Sequence, residues 1–495
     1  MQKIIMALDQ GTTSSRTILF NETGSIIASA GQDFPSYFPQ SGWVEQKPSA
    51  IWLSQKETII GVLNQAGLTM ADITTIGITN QRETTIAWNS ETGEAVGNAI
   101  VWQCRRTADY CKQLVEKGFN QTVRQKTGLV TDAYFSGTKM RWMLQNNDQA
   151  KSLAREGKLK FGTVDSWLIW HLTGGKKHVT DVSNASRTMI YNIFENQWDD
   201  EILNEFGIPR EALPEVVASS GVVGLTDKQE WQSEVPIAGI AGDQHAALFG
   251  QTCFEPGSAK NTYGTGCFLL LNTGEKPILS NNQLLTTIAW KIGDQVTYAL
   301  EGSVFIGGAL IQWLRDKLGI IKEAEETEAM ALSVENNGGL YIVPAFVGLG
   351  APHWDSYARG LMIGITRDTD KNHIARAALE AIAYQSYDLL KAIEKDTGLH
   401  LKSLKVDGGG TNNNFLCQFQ ADILNTAVSR PVIFETTALG AAFLAGLATG
   451  VWKDQNHIQS MWQEDRRFKP QKDPAEVENL LQGWQKALGR SKDWL

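Results

Sequence analysis

Asp9-Gln10-Gly11-Thr12-Thr13-Ser14-Ser15-Arg16 gathers a carboxylate, a glycine, four hydroxyls and a guanidinium into eight residues. Phosphate groups call for closely approaching backbone N–H donors, hydroxyls and a cation, and a glycine turn supplies the first of these. Gly11 gives the bend, Thr12 to Ser15 the hydroxyls, and Arg16 a guanidinium able to grip two oxygens at once. Asp9, ending the apolar run Ile4–Leu8, is placed to hold Mg²⁺ directly or through water. A plain β-hairpin with a polar tip accounts for the same octapeptide. A second Gly/Thr turn, Tyr263-Gly264-Thr265-Gly266, lies half a chain downstream between Ser258–Thr262 and the apolar run Cys267–Leu271. Each turn is followed by another, Asn21-Glu22-Thr23-Gly24 in the first case and Asn272-Thr273-Gly274 in the second. Such a repeat predicts two related α/β domains, each with its own phosphate hairpin. A third candidate, Asp407-Gly408-Gly409-Gly410-Thr411-Asn412-Asn413-Asn414, follows a strand and opens a helix, where glycines let backbone approach a flat ligand or a phosphate. A tight strand-to-helix turn is the alternative there. The chain contains neither G-x-x-x-x-G-K-[ST] nor the V-A-I-K, H-R-D and D-F-G set of protein kinases.

The elements that must position these turns follow from hydrophobic patterning. Ile4–Leu8, Thr17–Phe20, Ile73–Thr79, Ile237–Ala241 and Leu404–Val406 read as strands. Ala50–Gln65, Gly137–Asn146, Phe305–Leu318, His373–Glu394, Asn412–Leu424 and Leu439–Ala448 read as helices. Strands alternating with helices predict mixed or parallel sheets covered by helices. At 495 residues the chain is long enough for two cores, and the break in pattern at Gly250–Gly257 divides it into 1–250 and 251–495. A hydrophobic content of 42% and a charged content of 20% describe a globular protein. The net charge of -9 argues against nucleic-acid or membrane-surface binding through overall positive charge. Five scattered cysteines with no C-x-x-C pair fit reduced thiols in a cytoplasmic protein. Lys3 interrupts the first apolar run, and Ala438–Trp452 is shorter than the roughly 20 residues of a membrane span. No membrane insertion is therefore expected.

Together these segments resemble the glycerol kinases, within the FGGY carbohydrate kinases of the actin-like ATPase superfamily. The resemblance runs to about Trp452. It rests on Asp9–Arg16, Asn80-Gln-Arg-Glu-Thr-Thr85, Trp102-Gln-Cys-Arg-Arg106, Tyr134-Phe-Ser-Gly-Thr-Lys-Met-Arg-Trp142, Gly242-Asp-Gln-His245, Asn261-Thr-Tyr-Gly-Thr-Gly-Cys-Phe268 and Asp407–Asn413, with Gly360–Ile365 continuing to His373–Glu380. It implies two ribonuclease H-like domains with the active site in the cleft between them, and transfer of phosphate from ATP to glycerol. By carry-over, Arg82, Glu83, Tyr134, Asp243 and Gln244 bind glycerol, Trp102 and Phe268 wall its carbon backbone, and Asp243 is the general base. Thr12, Thr13, Ser14, Arg16 and Thr265 hold the nucleotide phosphates, Gly308, Gln312, Gly409 and Asn413 surround the rest of the nucleotide, and Mg²⁺ bridges it to Asp9. A homo-oligomer, dimer or tetramer, is expected. Read without the resemblance, Arg82-Glu83 is an ordinary surface ion pair and Asp243 a helix cap.

The chain departs from the family pattern in two places. His245 stands where many relatives carry a second Gln, which implies altered packing beside the base. Gly221–Pro236 contains no His and no Gly-Gly-Thr-Arg, so the His-phosphorylation and sugar-bisphosphate controls of some relatives are not expected. A kinase of a larger polyol or ketose, and a nucleotide-gated chaperone or filament subunit, remain as rival readings. Arg82, Glu83 and Gln244 weigh against the latter.

Overall fold

The structure is a computed structural model that describes residues 2–355 and 357–495. Thirteen strands form one sheet: β1 (Ile4–Gln10), β2 (Ser14–Asn21), β3 (Ile26–Asp33), β4 (Thr75–Asn80), β5 (Ser220–Leu225), β6 (Pro236–Gly242), β7 (Ala259–Tyr263), β8 (Cys267–Gly274), β9 (Leu285–Ile292), β10 (Gln295–Val304), β11 (Leu404–Asp407), β12 (Val428–Pro431) and β13 (Glu464–Phe468). Their spatial order is β13-β12-β11-β7-β8-β10-β9-β5-β6-β4-β1-β2-β3.

The repeat inferred from the two Gly/Thr turns is present in this order. In the first half β3, β2 and β1 run antiparallel, and β4 and β6 continue parallel to β1. In the second half β10, β8 and β7 run antiparallel, with β11 and β12 parallel to β7. The parallel strands read as continuous apolar runs because both faces are covered, as Thr75–Asn80 shows with every residue buried. The two sets are joined through β5 and β9, which meet at a single register pair, Ser220 opposite Ile292.

Two helices occupy the centre. α1 (Asp243–Gly250) follows β6, and α2 (Thr436–Ala448) follows β12. Their crossing is so close that a Cβ on Gly440 would lie 1.8 Å from the Ala246 carbonyl oxygen, and one on Gly250 would lie 2.0 Å from that of Thr436. α2 belongs to the second half in sequence but packs on the sheet of the first: Ala438, Leu439, Ala442 and Phe443 share one core with Ile5, Ala7, Ile18 and Phe20. The helix expected from Phe305 instead begins at Gly308, because β10 runs on to Val304 and the intervening backbone binds the second Gly/Thr turn. The expected boundary near 250–257 falls in the loop between α1 and β7.

Candidate active site

The octapeptide forms the β1–β2 hairpin tip, and three buried glutamines fix its shape. Gln46 Nε2 donates to the Thr12 carbonyl at 2.6 Å, Gln10 Nε2 to the Gly11 carbonyl at 2.8 Å, and Gln81 Nε2 to the same Gly11 carbonyl at 3.2 Å. Asp9, Gly11, Ser14 and Arg16 from this hairpin wall a cavity of about 200 Å³. Its other wall, Thr262, Asp407, Gly408 and Phe434–Thr437, comes wholly from the second half. Gly408 is required where it stands: its φ is +85°, and a Cβ there would lie 2.6 Å from the Tyr263 carbonyl oxygen. Burial pushes the Asp9 carboxyl up to about 7, against the opposing pull of Arg16 and with help from Glu435 and Asp243. Arg16 Nη1 meets both carboxylate oxygens of Glu435, at 3.1 and 3.0 Å, so an ion pair from the two halves spans the cavity mouth.

The acceptor candidates cluster beside this cavity. Asp243 is the first residue of α1; its Oδ1 accepts from its own helix at Gln244 N, 2.7 Å, and is ion-paired with Arg82 Nε at 3.0 Å. Among the described residues no donor reaches Oδ2. One oxygen is thus clamped and the other faces a partly open space.

Arg82 and Glu83 are not a surface pair; both are buried. Glu301 accepts from both Nη atoms of Arg82, at 2.5 and 2.9 Å, which engages two of the five guanidinium N–H groups. Glu83 sits at φ +59°, a left-handed conformation that costs a non-glycine residue about 1 kcal/mol or more. Arg187 Nε donates to Glu83 Oε1 at 2.7 Å and Arg187 Nη2 to Glu301 Oε1 at 3.3 Å. Burial raises the Glu83 carboxyl in spite of Arg82 and Arg187. Burial raises Glu301 as well, but there the combined field of Arg187 and Arg82 wins and holds its pKa well below the carboxylate range.

Aromatic side chains complete this side. Trp102 and Tyr134 meet edge to face, with centroids 5.5 Å apart, and Trp102 Nε1 donates to Thr12 Oγ1 at 3.0 Å. That bond ties the candidate acceptor wall to the β1–β2 hairpin. Lys139 is buried and donates to the Tyr134 and Phe135 carbonyls, which fixes the segment that carries Tyr134. Phe268 is half-buried on β8, paired in register with Thr262 and Ser303. His245 is fully buried with Nε2 3.1 Å from Thr287 Oγ1, and burial keeps it neutral.

The remaining nucleotide candidates stand outside the wall of the cavity. The turn that carries Thr265 and the start of the helix at Gly308 are joined through backbone: Gly308 N donates to the Gly264 carbonyl at 2.8 Å, and Gly307 N to that of Thr265 at 2.8 Å. Gln312 is exposed on the short helix Gly308–Trp313. Gly409 is exposed beside Gly408. Asn413 caps the helix Asn414–Leu424 by accepting from Leu416 N and donates to Thr327 Oγ1 at 3.1 Å. Thr13 is exposed at the hairpin tip.

The sequence reading missed Glu301, Arg187, Lys260 and Glu435. Glu301 and Lys260 did leave a signal, a lone charge inside a strand that is otherwise buried. Arg187 and Glu435 left none.

With this geometry, the profile of the FGGY family of carbohydrate kinases, N-terminal domain, matches residues 4–250, and that of its C-terminal domain matches residues 259–449. The chain belongs to the FGGY family of carbohydrate kinases. FGGY-family relatives include a glycerol kinase of Caldanaerobacter subterraneus subsp. tengcongensis, 58% identical over 100% of this chain and 99% of that protein. Another is a glycerol kinase of Paraburkholderia phytofirmans, 59% identical over 99% of this chain and 98% of that protein. Among solved structures, a Plasmodium falciparum glycerol kinase with ADP superposes with a TM-score of 0.93 at 36% identity, covering 99% of this chain and 98% of that one. A gluconate kinase from Lactobacillus acidophilus superposes at 0.88 with 25% identity, over 99% and 98%. The two-domain α/β architecture is thus that of the FGGY kinases.

Proposed function

We propose that the protein phosphorylates glycerol with ATP as donor, releasing ADP and sn-glycerol 3-phosphate. The observation that carries this reading is the position of Asp243, one oxygen held by Arg82 and the other, among the described residues, met by no donor, near enough to raise the pKa of Asp9 in the cavity walled by both halves. Full-length likeness to glycerol kinases at 58–59% identity favours glycerol over a larger acceptor.

In this reading Asp243 Oδ2 accepts the hydrogen bond of the terminal hydroxyl and takes its proton as the hydroxyl oxygen bonds to the γ-phosphorus. The bond from that phosphorus to the bridging oxygen breaks, and ADP leaves with the electron pair. Because the transition state of phosphoryl transfer is loose, fixing that hydroxyl in line matters more than basicity. Arg82 does the fixing by holding Oδ1, and Glu301 and Arg187 hold Arg82 and Glu83. Gln244, Trp102, Tyr134 and Phe268 make up the acceptor wall. Thr12, Thr13, Ser14, Arg16 and Thr265 serve the phosphates, with Gly308, Gln312, Gly409 and Asn413 around the nucleoside. Asp9 fits a Mg²⁺ site, since it is a carboxylate at the cavity with a raised pKa and, among the described residues, no hydrogen-bond donor. A bound Mg²⁺ would neutralise charge on the phosphates.

A division into functional halves at 1–250 and 251–495, self-association as a dimer or tetramer, and a cytoplasmic location belong to the same reading. Among the described residues no helix is long and apolar enough to cross a membrane.

ATP-coupled assays across glycerol, dihydroxyacetone, erythritol, xylulose and gluconate test the substrate. A preference for any acceptor other than glycerol by kcat/KM refutes the reading. Asp243→Asn should keep glycerol binding and lower kcat about 10²- to 10⁴-fold, the range of general-base catalysis. Near-normal turnover would remove the role assigned to Asp243.

A further inference from the structure

Lys260 is a lysine with no solvent exposure, set in the middle of the second half's sheet on β7. Its ammonium reaches into the first half, where Nζ donates to Gln244 Oε1 on α1. It also donates to Thr262 Oγ1 at 2.8 Å. Thr262 Oγ1 donates to Asp407 Oδ1 at 2.5 Å. Asp407 Oδ2 in turn accepts from Gln251 Nε2 at 2.9 Å and from Thr436 Oγ1 at 2.7 Å. Thr262, Asp407 and Thr436 all wall the phosphate cavity. A continuous hydrogen-bonded chain therefore runs from the acceptor helix to the phosphate site, with Lys260 as the link between halves. An apolar side chain of similar length would fill the same space without taking a charge out of water.

The direction of the first bond matters most. An ammonium has donors and no acceptor, whereas a carboxamide has one acceptor end and one donor end. Facing Lys260, Gln244 must turn Oε1 toward it and Nε2 away. Among the described residues, no protein acceptor meets that Nε2. We propose that Lys260 is a positioning residue of the acceptor site: it sets the Gln244 amide so that Nε2 donates to a hydroxyl oxygen of the polyol, and it anchors that orientation to the phosphate cavity through Thr262 and Asp407. The inference rests on reading Gln244 as a contact of the glycerol acceptor. Without the ammonium the amide can rotate by half a turn and present its oxygen instead. Glycerol still binds, but a hydroxyl that was read by a fixed donor is then read by a group of undefined sense.

The test is steady-state kinetics on full-length Lys260→Met, Thr262→Val, Gln244→Ala and the double variant Lys260→Met/Gln244→Ala. Lys260→Met should raise the glycerol KM about tenfold, the value of one hydrogen bond, with a smaller change in kcat. It should also narrow the preference for glycerol over propane-1,2-diol and propane-1,3-diol, a ratio that general loosening of the fold would not move selectively. Thr262→Val, which leaves the lysine in place, should shift both quantities the same way by about threefold, and it carries the test if Lys260→Met does not fold. Because the lysine acts through Gln244, the double variant should be no worse than Gln244→Ala to within about twofold. If Gln244→Ala raises the glycerol KM while folded Lys260→Met and Thr262→Val leave the KM and the diol ratios unchanged, the role of Lys260 is refuted. Independent, multiplying effects of Lys260→Met and Gln244→Ala refute it too. If Gln244→Ala itself leaves glycerol KM unchanged, the reading of Gln244 fails, and the inference falls with it.

Discussion

Glu301→Gln isolates the buried charge network beneath Asp243. The wild-type carboxylate accepts from Arg82 Nη1 at 2.5 Å and Nη2 at 2.9 Å, and from Arg187 Nη2 at 3.3 Å, with its side chain and that of Arg187 fully buried. Glu301 is the buried carboxylate that meets both guanidiniums, so Glu301→Gln leaves Arg187 with Glu83 alone and Arg82 with Asp243 and the more distant Glu83. It also turns an amide donor toward a guanidinium that can only donate. Removing one partner of a buried pair costs about 3–5 kcal/mol, a large share of a total stability of about 5–15 kcal/mol. Catalysis suffers by a second route. Arg82 Nε faces Asp243, and because the amide keeps one acceptor where the carboxylate had two, the guanidinium loses one of the two bonds that fix its plane. Hydrogen bonds to charged groups are worth about 1.5–3 kcal/mol, which corresponds to about a 10- to 150-fold loss in kcat/KM for glycerol. Urea unfolding followed by tryptophan fluorescence gives the first quantity and ATP-coupled kinetics the second. Glu301→Asp, which retains the charge, should recover part of both. A Glu301→Gln protein within 1 kcal/mol of wild type in stability and within about threefold in kcat/KM would refute the argument, since neither the desolvation nor the positioning term would then be real.

Three further outcomes are expected. Glu435→Gln frees Arg16 from its ion pair; both partners are substantially exposed, so stability should change by no more than about 1 kcal/mol, while the KM for Mg-ATP should fall. An unchanged or higher KM would mean that the pair does not compete with the nucleotide. Gly440→Ala places a Cβ 1.8 Å from the Ala246 carbonyl, a backbone atom that cannot swing aside, and should cost about 3 kcal/mol or more by thermal unfolding. A melting temperature unchanged from wild type would show that the helix crossing is not tight. Burial pushes both His171 and His178 down to about 4. Between about pH 4 and the usual histidine value of about 6.5 the unfolded chain binds more protons at these positions, so their contribution is full above that value and is lost as pH falls toward 4. His178→Gln should flatten the stability–pH curve in that window, and an unaltered slope would refute the assignment.

The sequence made the duplicated architecture visible because each Gly/Thr turn must be short, polar and flanked by strands, and those constraints are local. Asp9 could be singled out because it lies in a compact run of unusual composition, whereas Arg82, Asp243 and Gln244 are singled out by the family resemblance alone. What the local pattern could not disclose was partner choice. Arg82 read as a surface partner of Glu83 or, by resemblance, as a glycerol contact, yet in the structure Glu301, 219 residues away, accepts from it. Arg16 read as a phosphate ligand, and in the structure Glu435 meets it across 419 residues. Long-range pairs of this kind depend on which strands become neighbours, and the meeting of β5 with β9 at one register pair has no signature in either segment. Lys260 and Glu301 show the nearest thing to a warning, a charge set within a buried strand, which must find a counterpart somewhere.

The seating of α2 on the first half's sheet has a consequence for how the chain is made. A Cβ on Gly77 would lie 2.2 Å from the Ala441 carbonyl oxygen, so β4 is shaped to take that helix and nothing bulkier. Strand β6 leaves the ribosome at Gly242, but α2 is complete only at Ala448, 206 residues later (448 less 242). At about 5–20 residues per second the first half waits roughly 10–40 s with that apolar face uncovered. During this interval the nascent sheet is a client for chaperones, and a ribosome paused before Thr436 would leave a half-molecule that cannot finish its own core.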